Sequence, residues 1–248
     1  MIRAMIFDLD GTLVQTEKLK AISYARAAIE LCPYDIREEQ VIEAFKDVVG
    51  LPRREVAQQL VDRFQLQAKA RERMSEYGVD TPWQAFIQVR LRHYETMLAD
   101  PEVIRSHRWP QNLAVLKMAR ADRYPTGLAT MSRCRQAERV LEILDLRHSF
   151  DFIASRDDVV RGKPDPEIYE LVARELEVGV AESLVLEDSP AGVEAAIGAG
   201  MWCIAVTTPF TREGVHKQAL LPPEWIVDDA EQVLEVVGQM LEERRLDD

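Results

Sequence analysis

The feature that most constrains this chain is an alternation of strand and helix that is interrupted once. After Pro101 the sequence runs through a helix starting near Pro110, then "GLATMS", "RQAERVLEILDL", "FDFIAS", "DPEIYELVARELEV", "SLVLED", "SPAGVEAAIGAG", "WCIAVTT", "EWIVDD" and a terminal "AEQVLEVVGQMLEE". Short apolar runs alternating with helical periodicity imply crossover connections, which bury a parallel sheet under helices on both faces. The first ~14 residues also read as strand and turn, but residues 17–100 separate them from this array. That intervening stretch carries only three- and four-residue apolar spacing, in "EKLKAISYARAAIELC", "EEQVIEAFKDVV", "REVAQQLVDRFQLQAKARERM" and "PWQAFIQVRLRHYETMLA". Pro33, Gly50 to Pro52, Gly78 and Pro82 punctuate it into about four helices. The expected fold is therefore α/β: a doubly wound, Rossmann-like parallel sheet formed by residues 1–16 and 101–248, with an all-helical insertion over 17–100. Within the core, Asp165 is expected to cap a helix with Pro166 at its first position, and Ser189-Pro190 to open another.

Ligands bind such sheets at the carboxyl ends of the strands, so the polar residues there are the informative ones. The first strand runs into Asp8 and Asp10. Residues two apart in an extended segment share a side, where two carboxylates repel and burial adds a desolvation cost; a bound cation offsets both. Thr130 and Ser132 end the next core strand, Lys163 sits in the loop after "FDFIAS", and Glu187-Asp188 end the strand after that. Each has a duller reading by itself: a solvated carboxylate pair, a helix-capping hydroxyl, a surface lysine, an acidic helix start. In order at successive strand ends, they supply carboxylates for a hard cation, hydroxyls for an anion and an ammonium to balance charge. Mg²⁺ takes oxygen ligands and commonly joins protein carboxylates to substrate phosphate. With Asp8 as nucleophile and Asp10 as acid and base, this is equipment for phosphoryl transfer.

The segments "DLDGT", the Thr of "LATMS", "GKPDP" and "LEDSPAGVEAA" resemble the four motifs of the haloacid dehalogenase superfamily, most closely its β-phosphoglucomutase and phosphoglycolate-phosphatase-like subgroup. The resemblance spans the core, and the helical insertion resembles the cap of that subgroup. It implies that Asp8 is the nucleophile, Asp10 the general acid/base, Thr130 a phosphoryl-holding residue and Lys163 a charge stabiliser. It also implies Mg²⁺ held by Asp8, the backbone carbonyl of Asp10, and Asp188, with Glu187 close by, and a mobile flap at Gly11-Thr12. An aspartate at position 10 matches the phosphatases and phosphomutases of the superfamily rather than its dehalogenases. Met131 departs from the pattern, which usually has a small or amide residue there. In the insertion, Arg53 and Arg54 of "GLPRREV" resemble a substrate-specificity loop, and Arg90 stands where β-phosphoglucomutases have a cap lysine. Lys20 replaces their usual histidine. Lys20, Arg53 and Arg90 could together hold a second phosphate, which a mutase needs; a phosphatase needs only room for water.

The remaining chain narrows the partners. A net charge of −12 argues against an extended nucleic-acid surface. Only a short apolar stretch precedes Asp8 and no later run approaches the ~20 residues of a spanning helix, so neither a signal peptide nor a membrane partner is expected. Cys32, Cys134 and Cys203 are scattered and read as reduced thiols of a cytoplasmic protein. The histidines show no metal spacing, the tryptophans read as packing residues, Arg212 as a helix start, and GxxxxGK[ST] is missing. The expectation is a Mg²⁺-dependent phosphomonoester hydrolase acting on a small soluble sugar or short-acid phosphate. A β-phosphoglucomutase-type mutase is the alternative, and a regulatory phosphate-binding protein without turnover the second. Nothing in these residues decides the oligomeric state; the resemblance favours a monomer.

Overall fold

The computed structural model describes residues 1–49 and 51–246; Gly50, one of the expected punctuation points, lies outside the described residues. The chain forms two compact units, Met1–Gln15 with Ile104–Asp248, and Thr16–Val103.

The first unit is built on a parallel sheet of six strands: β1 (Ala4–Phe7), β2 (Thr126–Ala129), β3 (Phe152–Ala154), β4 (Ser183–Glu187), β5 (Trp202–Val206) and β6 (Ile226–Val227). β1 and β4 are buried along their whole lengths, as strands covered on both faces must be. Each fully buried Phe, Leu or Ile there contributes ~1.5–3 kcal/mol relative to leaving it exposed. Strand order is β3-β2-β1-β4-β5-β6. The chain moves outward from β1 through β2 to β3, then returns to β1's other side and moves the opposite way. Right-handed crossovers put the helices of the two halves on opposite faces and create a switch point between β1 and β4. Phe7 pairs with Leu186 there, so Asp8 and Glu187 emerge side by side.

Helices α1–α6 belong to the second unit: α1 (Thr16–Leu31), α2 (Glu38–Lys46), α3 (Arg53–Arg63), α4 (Gln67–Glu72), α5 (Met74–Tyr77) and α6 (Pro82–Ala99). α7 (Pro101–Ser106) spans the return boundary. The sheet unit continues with α8 (Pro110–Ala121), α9 (Cys134–Ile143), α10 (Glu167–Glu175), α11 (Pro190–Gly198), α12 (Arg212–Gln218) and α13 (Val233–Leu246). α11 starts as its sequence dictates: Ser189 accepts a hydrogen bond from the Gly192 N–H at 3.1 Å, with Pro190 at the first helical position. At α10 the cap differs by one residue from expectation. Pro166 is the N-cap, while Asp165 still accepts from the Glu167 N–H at 3.1 Å. Arg212 opens α12.

One expected helix is broken. The stretch "REVAQQLVDRFQLQAKARERM" divides into α3, α4 and the start of α5. Gln65 has φ +53°, Leu66 N–H donates to Val61 O at 2.8 Å, and Gln65 N–H donates to Asp62 O at 3.2 Å. That is a Schellman termination without the glycine that usually announces one. Within this unit Glu30 on α1 accepts from Arg73 at 2.9 Å and Arg92 at 2.5 Å, and lies 2.8 Å from His93 Nε2. Burial pushes its carboxyl up, but these three partners outweigh it and hold the pKa down at about 2. The three cysteines are free thiols. Among the described residues, no helix is long and apolar enough to cross a membrane.

Candidate active site

The site grows from the ends of β1, β2 and β4. Asp8 continues β1 far enough to donate its N–H to Leu186 O at 3.0 Å, and its side chain is buried. The chain then turns sharply at Gly11, φ +94°, whose N–H donates to Val14 O at 2.7 Å. A Cβ at Gly11 would overlap the carboxylate of Asp188, so only glycine satisfies both the backbone angle and the space. Thr12 Oγ1 donates to Asp188 Oδ1 at 3.3 Å, and Asn112 Nδ2 donates to the Thr12 carbonyl at 2.6 Å. The turn after β1 is thereby tied to both the end of β4 and the first turn of α8.

Lys163 reaches this turn from the loop before α10, beside a cis Lys163–Pro164 bond. Its side chain is 4% exposed, and its ammonium donates to Glu187 Oε1 at 2.6 Å, Asp8 Oδ1 at 2.7 Å and Ala129 O at 3.0 Å. Burial alone would lower its pKa, but Asp8 and Glu187 raise it above the ordinary lysine value, so it is a fixed cation. Glu187 is fully engaged. Besides Lys163, its Oε1 accepts from Tyr169 at 3.1 Å, and its Oε2 accepts from the N–H groups of Asp188 and Ser189 at 2.8 Å each and from Ser189 Oγ at 3.0 Å. Those donors saturate the lone pairs of a carboxylate.

Asp10 sits half-buried opposite β2, where its Oδ2 accepts from Thr130 Oγ1 at 2.9 Å and Ser132 Oγ at 2.7 Å. The Ser132 N–H in turn donates to Thr130 Oγ1 at 3.0 Å. A carboxylate thus rests on hydroxyls that suit any oxyanion of similar size. Met131 half-buries its side chain in the space a Cβ at Gly162 would need, leaving Thr130 and Ser132 to line the site.

Electrostatically, Asp8 and Glu187 contact Lys163, Asp188 lies close to both carboxylates, and Asp10 acts on Asp8. Desolvation pushes the Asp8 carboxyl well above the usual range; Lys163 pulls it back, and Glu187 and Asp10 push it further up. Among the described residues, Asp8 Oδ2 is buried with no hydrogen-bond partner. Oxygens of Asp8, Glu187 and Asp188 lie within 4.8 Å of one another. Buried oxygen donors in excess over the ammonium, with one carboxylate oxygen orphaned, fit a hard divalent cation.

These motifs stand at the strand ends in one sheet unit, and the profile of the haloacid dehalogenase-like hydrolases matches residues 5–206. The chain belongs to this family. A phosphorylated-carbohydrates phosphatase of Thermotoga maritima is 30% identical over 237 residues, covering 93% of this chain and 99% of that protein. A β-phosphoglucomutase of Bacillus subtilis is 26% identical over 210 residues, covering 82% of this chain and 83% of its own. A haloacid dehalogenase family hydrolase of Deinococcus radiodurans, solved with bound phosphate and sodium, superposes with a TM-score of 0.72 at 18% identity, covering 96% of each chain, and shares the fold.

Further candidates lie in the helical unit, where Arg90, Arg53 and Lys20 act on Tyr24. Arg90 is 5% exposed, with its guanidinium 4.9 Å from the Tyr24 ring and 4.4 Å from the Tyr94 ring. Its Nε is buried without a hydrogen-bond partner among the described residues. Burial raises the Tyr24 hydroxyl's pKa, while Arg90, Arg53 and Lys20 each act to lower it, which puts all three cations within electrostatic reach of one phenol. Lys20 also pairs with Glu17 at 3.2 Å, Arg53 is exposed at the start of α3, and Arg54 lies 5.7 Å over Trp83. Sequence reasoning missed Asn112 and Tyr169, and named Thr12 only as part of a flap, not as a partner of Asp188. Thr12 was visible inside "DGT"; Asn112 and Tyr169 occupy buried helix positions that read as packing.

Proposed function

We propose that the protein is a Mg²⁺-dependent phosphomonoester hydrolase that acts on a small phosphate, a sugar or short-acid phosphate, through an aspartyl-phosphate at Asp8. The observation that carries this reading is the state of Asp8: buried, one oxygen held by Lys163, the other without a partner. In the first step a carboxylate oxygen of Asp8 attacks phosphorus and the bond from phosphorus to the ester oxygen breaks. Asp10 gives its proton to the departing oxygen. In the second step Asp10, now a carboxylate, accepts a proton from water as the water oxygen attacks phosphorus. The bond to Asp8 breaks and phosphate leaves. Thr130 and Ser132 hold phosphoryl oxygens with the hydroxyls that now face Asp10, so substrate binding also frees Asp10 for proton transfer. Lys163 balances the charge that accumulates in transfer.

Asp8, Asp188 and the backbone carbonyl of Asp10 are the residues that would hold Mg²⁺, with Glu187, already saturated, beside them. The cation supplies Lewis-acid neutralisation of phosphoryl oxygens. Residues 17–100 are the specificity-bearing cap in this reading, with Arg53, Arg90 and Lys20 contacting substrate. The Thermotoga relative's activity on phosphorylated carbohydrates supports the sugar-phosphate class. A cytoplasmic setting fits the three free thiols.

One observation favours a second reading. Arg90 is a buried guanidinium with an unpartnered Nε, and the charges of Arg53 and Lys20 act on the same phenol. Such a group suits a second phosphate, as a sugar phosphomutase with a bisphosphate intermediate would require. A phosphate-release screen with Mg²⁺ over sugar, short-acid and nucleoside monophosphates separates the readings. It includes β-glucose 1-phosphate with a bisphosphate primer and runs beside Asp8→Asn. Metal-dependent release by the wild type alone is expected. Isomerised sugar phosphate with little free phosphate would move the assignment to mutase. Silence in both channels would leave a regulatory phosphate-binding protein.

A further inference from the structure

Tyr169 lies in the third position of α10, fully buried, and touches both partners of the central ion pair. Its hydroxyl donates to Glu187 Oε1 at 3.1 Å, and its ring centroid is 4.8 Å from the Lys163 ammonium. α10 packs against β1, β2 and β3, and the ring of Tyr169 is buried in that packing. A buried hydroxyl is costly unless bonded, and phenylalanine would fill the same space without that cost. The oxygen that Tyr169 selects is the one that also receives Lys163.

We propose that Tyr169 is a positioning residue for Lys163, pinning Glu187 Oε1 from one side and supporting the ammonium with its ring from another. This rests on the phosphatase reading above. Of the three oxygens that Lys163 holds, Asp8 Oδ1 changes during turnover, because the carboxylate loses its charge when it bonds phosphorus. The ammonium then depends on Glu187 Oε1 and Ala129 O, and follows the phosphoryl group accurately only if Glu187 stays in place. Tyr169 therefore matters most after substrate is bound, and its loss shows in kcat rather than KM.

Tyr169→Phe keeps the ring and removes the bond. With an aryl phosphate and Mg²⁺, kcat is expected to fall roughly tenfold, the order of one lost hydrogen bond to a charged group, with KM within about twofold of wild type. Tyr169→Leu, which removes the ring as well, is expected to fall further. In a Lys163→Ala background, assayed on an aryl phosphate with a good leaving group, Tyr169→Phe should add less than about twofold, because the group it positions is gone. Wild-type kcat in Tyr169→Phe, a rise confined to KM, or the same tenfold loss with and without Lys163 would each overturn the assignment while leaving the phosphatase reading intact. A wild type inert on every phosphate ester would overturn both.

Discussion

Gly192 sits in the first turn of α11, and a Cβ there would overlap the Glu187 carboxylate. Glu187 cannot retreat without releasing Lys163, Tyr169 and the Asp188 and Ser189 N–H groups together. Gly192→Ala is therefore expected to lower kcat by roughly 100-fold through displacement of the lysine, and to cost about 1–3 kcal/mol of stability through overpacking. Steady-state kinetics and a urea titration measure the two effects, and a variant matching wild type in both would show that Glu187 has room to move. Among single residues, those of the proposed site were readable wherever chemistry departs from its surroundings. Asp8, Thr130 and Asp188 interrupt apolar runs at strand ends, and a polar residue there stands out. Tyr169 and Asn112 were not readable, because on a buried helix face a hydroxyl or amide with one specific partner has the same sequence signature as ordinary packing.

Helix ends in this protein use a repeated device. Gln65, Arg123, Asp145 and Glu177 all adopt φ between +53° and +63°, and the residue following each donates its N–H back to a carbonyl five residues earlier. Left-handed backbone is unfavourable for these L-residues, and glycine relieves it. Gln65→Gly after α3 and Glu177→Gly after α10, both at exposed positions in different units, are each expected to stabilise by about 0.5–1 kcal/mol after the entropy cost of glycine is counted. Urea unfolding should show a higher midpoint; a lower one would mean that the original side chains contribute more than their backbone costs. The same device explains the one helix that sequence patterning ran through. Apolar spacing continues across Phe64 to Leu66 because both flanking helices bury residues, Val61 on one side and Leu66 and Ala70 on the other, and no glycine or proline marks the stop. Where Pro190 and Gly200 do mark the ends, around α11, pattern and structure coincide.

Over the whole molecule, the strand that carries Asp8 comes from residues 4–7, yet it pairs with β2 at 126–129 and β4 at 183–187. The helical unit is thus an excursion between the first strand and the sheet it belongs to. Alternation made the sheet legible, but strand order came from the structure, since a one-dimensional pattern does not state on which side of β1 the chain resumes. That order matters because it sets β1 beside β4 and so brings Asp8 next to Glu187 and Asp188. In the proposed mechanism this meeting makes Asp8 the nucleophile. The most direct measurement is chemical trapping. The wild type is quenched during turnover of its best phosphate ester with Mg²⁺ and reduced with borohydride, which converts an aspartyl-phosphate to homoserine. The peptide spanning position 8 is then read by mass spectrometry. Homoserine at position 8, dependent on substrate and lost in Asp8→Asn, is the expected result. An unmodified Asp8 during demonstrable turnover, or a trapped acyl phosphate at Asp10, would contradict it.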